Sequence, residues 1–238
     1  MKSPLRAICT PLFLLIGVHF VKFPTPMQAG EKPNIILIMC DDLGWGDVGF
    51  NGGTHIRTPH LDKMATNGLN LTRFYAQAPV CSPTRASVVT GRHHDRTGIY
   101  TANNGHLREG EFTLYEALAS KGYVTGHFGK WHMGGQRNVA DAPPISDYGF
   151  DQSLTNFEGM GPKLLPLTLK PGQDPKRPGR IWGHAEILGK GVKWMQRSEI
   201  TEGFVDAAIP FIKKARQENK PFYINLWPDD VHTPFWPP

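Results

Sequence analysis

The sequence predicts an α/β fold built on a mostly parallel central sheet. Continuous apolar runs rich in β-branched residues, which are typical of buried parallel strands, alternate along the chain with amphipathic stretches of helical period. Polar and charged residues directly follow three of these runs, at the edge where open α/β sheets bind ligands. With 238 residues, the chain is long enough for one large domain or for part of a bigger one.

Charge and composition exclude nucleic acid as a partner. The formal charge is +5, but three of the basic residues lie in the first 29 positions, which contain no acid, so the remainder is only weakly positive. No basic run interleaved with aromatic residues occurs. A mildly positive cleft for an anionic substrate is consistent with this balance.

Residues 1–29 are predicted to be an export signal. A basic start precedes the apolar stretch Leu12–Val18, and Met27-Gln28-Ala29 offers a cleavage site. The apolar stretch is short, and the polar residues His19 and Lys22 come soon after it, so no stable membrane span is expected, although uncleaved anchoring is the alternative. Residues 30–238 would then form the globular part.

The first predicted strand, Pro33–Cys40, has the composition of a central strand buried on both faces. It ends in Asp41-Asp42, and two adjacent carboxylates there are unfavourable unless a cation neutralises them. Asp41 and Asp42 are therefore candidate ligands of Ca²⁺ or Mg²⁺, with a solvated acidic turn as the alternative. We expect Cys40 to be a buried free thiol.

The next two elements lead the chain to Cys81. Thr58–Ala65 predicts a capped helix that ends near Gly68 and turns its apolar side chains inward. Leu69–Gln77 alternates enough to predict a half-buried second strand.

A turn running into a helix is predicted at Cys81. Pro83 suits the first helical position, Ser82 the N-cap and Gly91 the end of the helix. Cys81 would lie at the positive end of this helix with Arg85 about one turn further in, which would stabilise an anion or an activated nucleophile. A buried structural cysteine is the alternative.

His93-His94-Asp95 follows the Cys81 helix. The spacing of zinc sites is absent around this run, so we expect surface residues rather than metal ligands.

A helix capped by Thr113 is predicted to end at Gly122, and Tyr123–Phe128 predicts a third strand. Lys130 and His132 come next, and two residues so spaced on an extended segment point the same way.

The segment Ala140–Arg197 is rich in proline and glycine and is predicted to be irregular. Such loops often shape a pocket, which makes four residues candidates for specificity: Trp182, His184, Lys190 and Lys193.

Ser198–Asn219 predicts a long amphipathic helix that Pro210 kinks or divides. A strand at Pro221–Trp227 and the run Asp229-Asp230-Val231-His232 complete the series, and an Asp-x-x-His pair could bind metal.

Several stretches of this chain resemble, in the same order, the motifs of the type I sulfatases. The resemblance runs from about Pro33 to the last residue. The matching segments are Asp41-Asp42-Leu43-Gly44 with Asp47, Thr58-Pro59-His60-Leu61-Asp62, Cys81-Ser82-Pro83-Thr84-Arg85 with Thr90-Gly91-Arg92, Gly129-Lys130-Trp131-His132-Met133-Gly134, Gly149-Phe150-Asp151, and His232-Thr233-Pro234.

The resemblance implies an alkaline-phosphatase-like sandwich that hydrolyses sulfate esters. Cys81 would be oxidised to formylglycine by a formylglycine-generating or sulfatase-maturating enzyme, and the hydrate of that aldehyde would attack sulfur. Asp41, Asp42 and residue 81 would hold Ca²⁺, with Mg²⁺ as the alternative.

Four further residues acquire roles from the same resemblance. Lys130 would bind a sulfate oxygen, and Arg85 would offset charge on the transferring group and hold the hydrate. His132 would hydrogen-bond the hydroxyl that does not attack and help to deprotonate it. His232 would contact sulfate and protonate the leaving alcohol.

The resemblance also implies a substrate class and a cellular location, and it shows which family residues are missing here. A sulfated carbohydrate or an aryl sulfate would be the substrate of a periplasmic or secreted enzyme, or of a lysosomal-type one in a eukaryote, and a hexosamine 6-sulfate is one expectation. The later half of these enzymes supplies an Asp-Asn pair to the metal, and Asp-Asn occurs nowhere here, so residues 30–238 match only the N-terminal part of the catalytic domain. The rival interpretations are a phosphoester hydrolase of the same superfamily, using two zinc ions, and an inactive fragment.

Overall fold

The computed structural model describes residues 32–134, 142–157, 159–167, 191–233 and 235. The predicted export signal lies outside these residues, as do three of the four candidate specificity residues, Trp182, His184 and Lys190. The described helices are α1 Pro59–Asn67, α2 Cys81–Thr90, α3 His94–Thr97, α4 Leu114–Ala119 and α5 Ile200–Gln217. The described strands are β1 Ile35–Ile38, β2 Val124–Lys130, β3 Gln152–Asn156, β4 Lys163–Leu167, β5 Val192–Gln196 and β6 Phe222–Trp227.

The six strands form one sheet in the order β1-β6-β2-β3-β4-β5, and every neighbouring pair is parallel. Side chains of β6 alternate between two hydrophobic cores, as the pleat of a strand requires. Tyr223 and Trp227 join residues of α2 and α4 in one core, whereas Phe222 and Ile224 join α5 in the other. Helices therefore cover both faces of the sheet, as predicted for an α/β fold.

Local helix signals predicted two elements well. Thr113 caps α4 through a capping box: its hydroxyl accepts a hydrogen bond from the Glu116 N–H, and the Glu116 carboxylate accepts one from the Thr113 N–H. Gly91 ends α2 in the left-handed region at φ 65°. Helix α5 continues through Pro210 undivided, and both Pro210 and Asp206, whose carbonyl group loses its helical hydrogen bond to the proline, are exposed residues.

The prediction for the first strand was wrong about its surroundings. Among the described residues β1 pairs only with β6, so it lies at an edge of the sheet rather than at the centre. Ile35 and Leu37 pack against the first core, while Ile36 and Ile38 are 49% and 46% exposed. Nothing in the described part of the chain covers that second face.

Leu69–Gln77 is not a strand, because no described strand lies beside it to complete its hydrogen bonds. Leu69 and Phe74 are 84% and 80% exposed. The inward face predicted for α1 holds only in part, since Leu61 and Ala65 are partly buried but Met64 is 63% exposed.

The segment Ala140–Arg197, predicted to be irregular, contributes β3, β4 and β5. These strands are only five residues each and mix polar with apolar residues, so their pairing with β2 and with one another decides their conformation. Lys193, the described specificity candidate, lies exposed on β5.

No helix in the described residues is long and apolar enough to cross a membrane.

Candidate active site

The C-terminal ends of β1, β6 and β2 bring most of the predicted site residues together. Asp41 follows β1, Lys130 ends β2, and His232 lies in the loop after β6. Parallel neighbouring strands deliver their C-terminal residues to one edge of the sheet. A cavity of about 310 Å³ opens there, and Asp41, Cys81 and Arg85 are among the residues that line it.

Helix α2 places Cys81 and Arg85 at this edge, but it begins two residues earlier than predicted. Cys81 is its first residue and Val80 its N-cap, so Pro83 is the third residue of the helix instead of the first. Ser82 is buried and makes no capping hydrogen bond. Cys81 therefore belongs to the first helical turn, and Arg85 follows one turn later on the buried side.

Two buried cations surround the Asp41 carboxylate. The Lys130 Nζ donates to Asp41 Oδ2, and the Arg85 Nη2 donates to Asp41 Oδ1 over 3.2 Å. The Arg85 Nη1 also donates to the Lys130 carbonyl oxygen over 2.8 Å, which ties the three residues into one unit. Burial opposes ionisation of Asp41, but Arg85 and Lys130 together hold its pKa below the usual value.

The Cys81 thiol lies 3.5 Å from the Lys130 Nζ. Burial nevertheless raises the pKa of the thiol, with the Asp41 carboxylate adding to the effect, while Lys130 and Arg85 act against it. The expectation that this helix end activates a nucleophile therefore does not hold for the unmodified cysteine. At neutral pH the group is a protonated thiol.

His232 and Asp42 face each other at the rim of the site. The His232 Nε2 lies 3.6 Å from the Asp42 Oδ2, and the Asp42 side chain is mostly exposed. The His232 Nδ1 donates to the Thr233 carbonyl oxygen over 2.7 Å, which fixes the ring with Nε2 toward the site. One ligand atom each from Asp41, Cys81 and His232 lies within 4.8 Å of the other two.

Asp229 and Asp230 both contact Arg197. The Arg197 Nη1 lies 3.3 Å from Asp229 Oδ1 and 2.9 Å from Asp230 Oδ1, so one guanidinium lies against both carboxylates, although burial still raises the pKa of Asp229. In the described residues His232 is grouped with Asp41 and Cys81 as possible metal ligands, and the Asp-x-x-His interpretation stays a prediction.

The extended segment expected to carry both Lys130 and His132 ends at Lys130, the last residue of β2. His132 has φ 58°, so the backbone turns after β2. Its Nε2 lies 2.6 Å from the Asn103 Oδ1, whereas Lys130 reaches Asp41 and Cys81. Both side chains nevertheless lie against the Phe157 ring, whose centroid is 4.4 Å from the Lys130 Nζ and 5.1 Å from the His132 ring, and the His232 ring lies 6.0 Å from the same ring.

Sequence reasoning missed three residues that contact the predicted site: Asn103, Phe157 and Arg197. Phe157 directly follows β3, so predicting that strand would have placed it at the ligand-binding edge. Asn103 and Arg197 carry no comparable signal, because their contacts cross about 30 residues of chain.

Two candidates remain, the run His93-His94-Asp95 and Cys40, and Cys40 lines the same cavity as Cys81. His93 and His94 stack at 4.4 Å between ring centroids at the start of α3, and one ligand atom each from His93, His94 and Asp95 lies within 4.8 Å of the other two, so their assignment as surface residues stays a prediction. Cys40 is a free thiol that is only partly buried, and that burial raises its pKa.

Comparisons with known proteins agree with this geometry. A family model described as Sulfatase matches residues 33–238. Arylsulfatase D of Homo sapiens is 38% identical over 179 residues, which are 68% of this chain and 29% of that protein. N-acetylgalactosamine-6-sulfatase of Sus scrofa is 33% identical over 221 residues, which are 87% of this chain and 41% of that protein.

A crystal structure of Ps i-CgsB in complex with k-i-k-neocarrahexaose superposes with a TM-score of 0.66 and 33% identity, covering 86% of this chain and 46% of that one. The chain thus spans less than half the length of these relatives. Its mostly parallel sheet with helices on both faces is the alkaline-phosphatase-like fold of its structural neighbours. With the family model matched over nearly all of the described residues, this chain belongs to the sulfatase family.

Proposed function

We propose that this chain is the N-terminal part of the catalytic domain of a sulfuric ester hydrolase that uses formylglycine made from Cys81. The observation that carries the proposal is the arrangement at Cys81, where Lys130 and Arg85 surround a single buried carboxylate. Two buried cations against one anion leave positive charge beside the thiol. That charge favours a sulfate group and the negative charge that develops on it during transfer.

The state of Cys81 supports its role as a precursor. Its pKa is raised, so the unmodified residue is a weak nucleophile at neutral pH despite its cationic neighbours. Conversion removes two electrons from the thiol carbon and releases the sulfur as hydrogen sulfide, so the step requires an oxidant that a maturating enzyme would supply. When present, the hydrated aldehyde supplies a hydroxyl nucleophile and a second hydroxyl on the same carbon.

The residues of the proposed calcium site offer the right kind of ligand for Ca²⁺ but too few ligands. Asp41 and Asp42 offer hard carboxylate oxygens, although Asp42 lies at the exposed rim. Ca²⁺ takes about 6–8 oxygen ligands, and these two carboxylates with residue 81 provide fewer. We therefore expect additional ligands from water or from chain beyond residue 238, and assign to the metal only charge neutralisation of the bound sulfate.

The protein side chains divide the remaining work. Lys130 and Arg85 bind the sulfate oxygens and stay in place through Asp41. His232, with its ring fixed by Thr233, is placed to deliver a proton from Nε2 to the leaving alcohol. His132, whose Nε2 contacts Asn103, is proposed to accept the proton of the second hydroxyl on residue 81, the one that does not attack.

The deciding experiment compares the two described cysteines in the natural full-length gene product, made with a maturating enzyme. Cys81→Ala should abolish sulfate release from an aryl sulfate, and Cys40→Ala, at the partly buried thiol, should retain most of it. Peptide mass analysis should find an aldehyde at residue 81 and none at residue 40. Normal sulfate release from protein that carries only unaltered thiol at residue 81 would refute the proposal.

For the substrate we propose a sulfated sugar, with a hexosamine 6-sulfate as the first to test. Support comes from the relative named N-acetylgalactosamine-6-sulfatase and from the neighbour solved with an oligosaccharide. A panel of sugars sulfated at single positions should show one strongly preferred position. Equal turnover of every member would contradict this choice.

A metal-dependent phosphoester hydrolase is the second candidate. It is favoured by Asp41, Cys81 and His232, whose carboxylate, thiolate and imidazole suit zinc and whose ligand atoms lie within 4.8 Å of one another. Metal analysis and a comparison of aryl phosphate with aryl sulfate distinguish the two. Bound zinc with preferred phosphate turnover would favour this candidate.

Export is proposed from residues 1–29, with a periplasmic or secreted destination. Amino-terminal sequencing of the natural product should find cleavage after Ala29. A mature protein that begins at Met1 in the cytoplasm would contradict it.

A further inference from the structure

One arginine distant from Cys81 in sequence holds the loop that carries His232. Arg197 lies in a short 3-10 turn between β5 and α5 and is 5% exposed. Its Nη1 contacts the carboxylates of Asp229 and Asp230 at 3.3 and 2.9 Å. Its Nη2 donates to the carbonyl oxygens of Asp229 and His232, each over 3.3 Å.

The same loop is connected to two proposed site residues through its backbone. The His232 N–H donates to the Asp229 carbonyl oxygen over 3.0 Å, which closes the turn that presents the imidazole. The Asp41 N–H donates to the Asp230 carbonyl oxygen over 3.0 Å, which ties the end of β1 to this turn. Displacement of the loop would therefore move the His232 ring and the backbone of Asp41 together.

A second side chain strengthens the attachment from α5. The Thr201 hydroxyl donates to the Asp230 Oδ2, the carboxylate whose other oxygen contacts Arg197. The loop is thus attached at two points, to the 3-10 turn through Arg197 and to the first turn of α5 through Thr201, and α5 packs into the second core.

The chemistry at this position requires a guanidinium. Four acceptors surround Arg197, and its planar fork reaches them from two nitrogens at once. A lysine would keep the charge near the buried Asp229, but its single nitrogen cannot span both carboxylates and both carbonyl groups.

We propose that Arg197 is a positioning residue for the reaction, fixing His232 and the backbone of Asp41 through the 229–232 loop. The inference rests on the proposed function, because it assigns to His232 the proton that the leaving alcohol receives. The described contacts of Arg197 are to that loop and not to Cys81 or Lys130, so its effect on turnover passes through His232 and Asp41.

The test uses Arg197→Lys in the natural full-length gene product with mature residue 81. Arg216→Lys, at the exposed far end of α5, is the matched control. An alkyl or sugar sulfate needs its leaving group protonated, so kcat in Arg197→Lys should fall by about 10²-fold on it. An aryl sulfate with an acidic phenol does not need the proton, so its kcat should fall by less than about fivefold.

Thr201→Val provides a milder variant in case Arg197→Lys does not fold. It removes one hydrogen bond from Asp230 and should lower kcat on the alkyl sulfate in the same direction, by a smaller factor. Arg216→Lys should match the unsubstituted protein on both esters.

Hydrogen–deuterium exchange of the 229–233 peptide gives a readout that does not depend on turnover. Exchange there should become at least about tenfold faster in Arg197→Lys and stay unchanged in Arg216→Lys. Equal losses on both esters, or no loss on either, would overturn the proposal, as would unchanged exchange. If the unsubstituted protein released sulfate from no ester, the proposed function would fail, while the exchange rates would still decide whether Arg197 holds the loop.

Discussion

Buried polar side chains in this molecule are held in particular charge states by their neighbours. Asp41 stays ionised because Arg85 and Lys130 contact its two oxygens, whereas Cys81 stays protonated because burial outweighs the same two cations. The difference arises because both cations contact the carboxylate directly, while the thiol has only Lys130 at 3.5 Å. Lys130 therefore contacts Asp41 more closely than it contacts Cys81.

A single buried residue, His127, should make the stability of the folded protein depend on pH. It is fully buried, and its ring nitrogens lie 3.3 Å from the Gly129 carbonyl oxygen and from the Asn225 Nδ2. Burial, with Arg85 as a second cause, lowers its pKa to about 3. The unfolded chain, in which a histidine has a pKa near about 6.5, binds the proton first. Stability is therefore complete above about pH 6.5 and is lost as the pH falls toward 3.

We expect the free energy of unfolding to fall by about 1 kcal/mol between pH 6.5 and 5.5 through this group alone. Urea unfolding across that range measures the slope, and His127→Gln should flatten it by that amount. An unchanged slope in His127→Gln would show that other groups produce the dependence.

At the scale of elements, two glycines serve different ends and should respond differently to alanine. Gly91 ends α2 at φ 65° with open space around the position of a Cβ. Gly129, just before Lys130, has φ 134°, and a Cβ there would overlap the Trp227 carbonyl oxygen of the neighbouring strand β6. The first position demands only a backbone conformation, whereas the second also demands the absence of a side chain.

Gly91→Ala should therefore lower the free energy of unfolding by about 1 kcal/mol. Gly129→Ala adds a steric clash between β2 and β6 to the backbone strain and should lower it by at least about 3 kcal/mol. Chemical denaturation of the two variants provides the comparison. Equal effects would mean that β2 and β6 separate to admit the methyl group at little cost.

At the scale of the whole molecule, apolar side chains gather on one exposed stretch. Leu69, Leu71, Phe74 and Tyr75 fall within seven residues and are 57–84% exposed. Contiguous apolar surface of this kind promotes association in water. We expect the 238-residue chain to self-associate in solution, with this stretch as a main contact.

Sedimentation velocity over a range of protein concentrations tests that expectation. Leu69→Ser combined with Phe74→Ser should shift the chain toward monomer. Phe112→Ser, which removes a 68%-exposed phenylalanine elsewhere, is the matched control and should have little effect. Equal effects from the two variants would show that the stretch has no special part in association.

The sequence by itself determined that the residues following three of its predicted strands meet at one edge of the sheet. Asp41, Lys130 and His232 each follow an apolar run long enough to predict a strand, and parallel strands must end at a common edge. The C-terminal end of α2 and the start of α4 were likewise predictable, because Gly91 and the Thr113 capping box act through neighbouring residues alone, whereas α4 ends at Ala119 rather than at the predicted Gly122. Helix caps and apolar runs of this kind depend only on residues a few positions apart, so the sequence alone reveals them.

Only the tertiary structure decided three things: which strand faces are buried, where the short strands form, and which distant residues contact the site. β1 has the composition of a central strand, yet it lies at an edge because burial depends on what packs against it. β3 to β5 become strands through hydrogen bonds with partners elsewhere in the chain. Phe157 and Arg197 reach the site through the same long-range assembly, and no local pattern encodes such contacts.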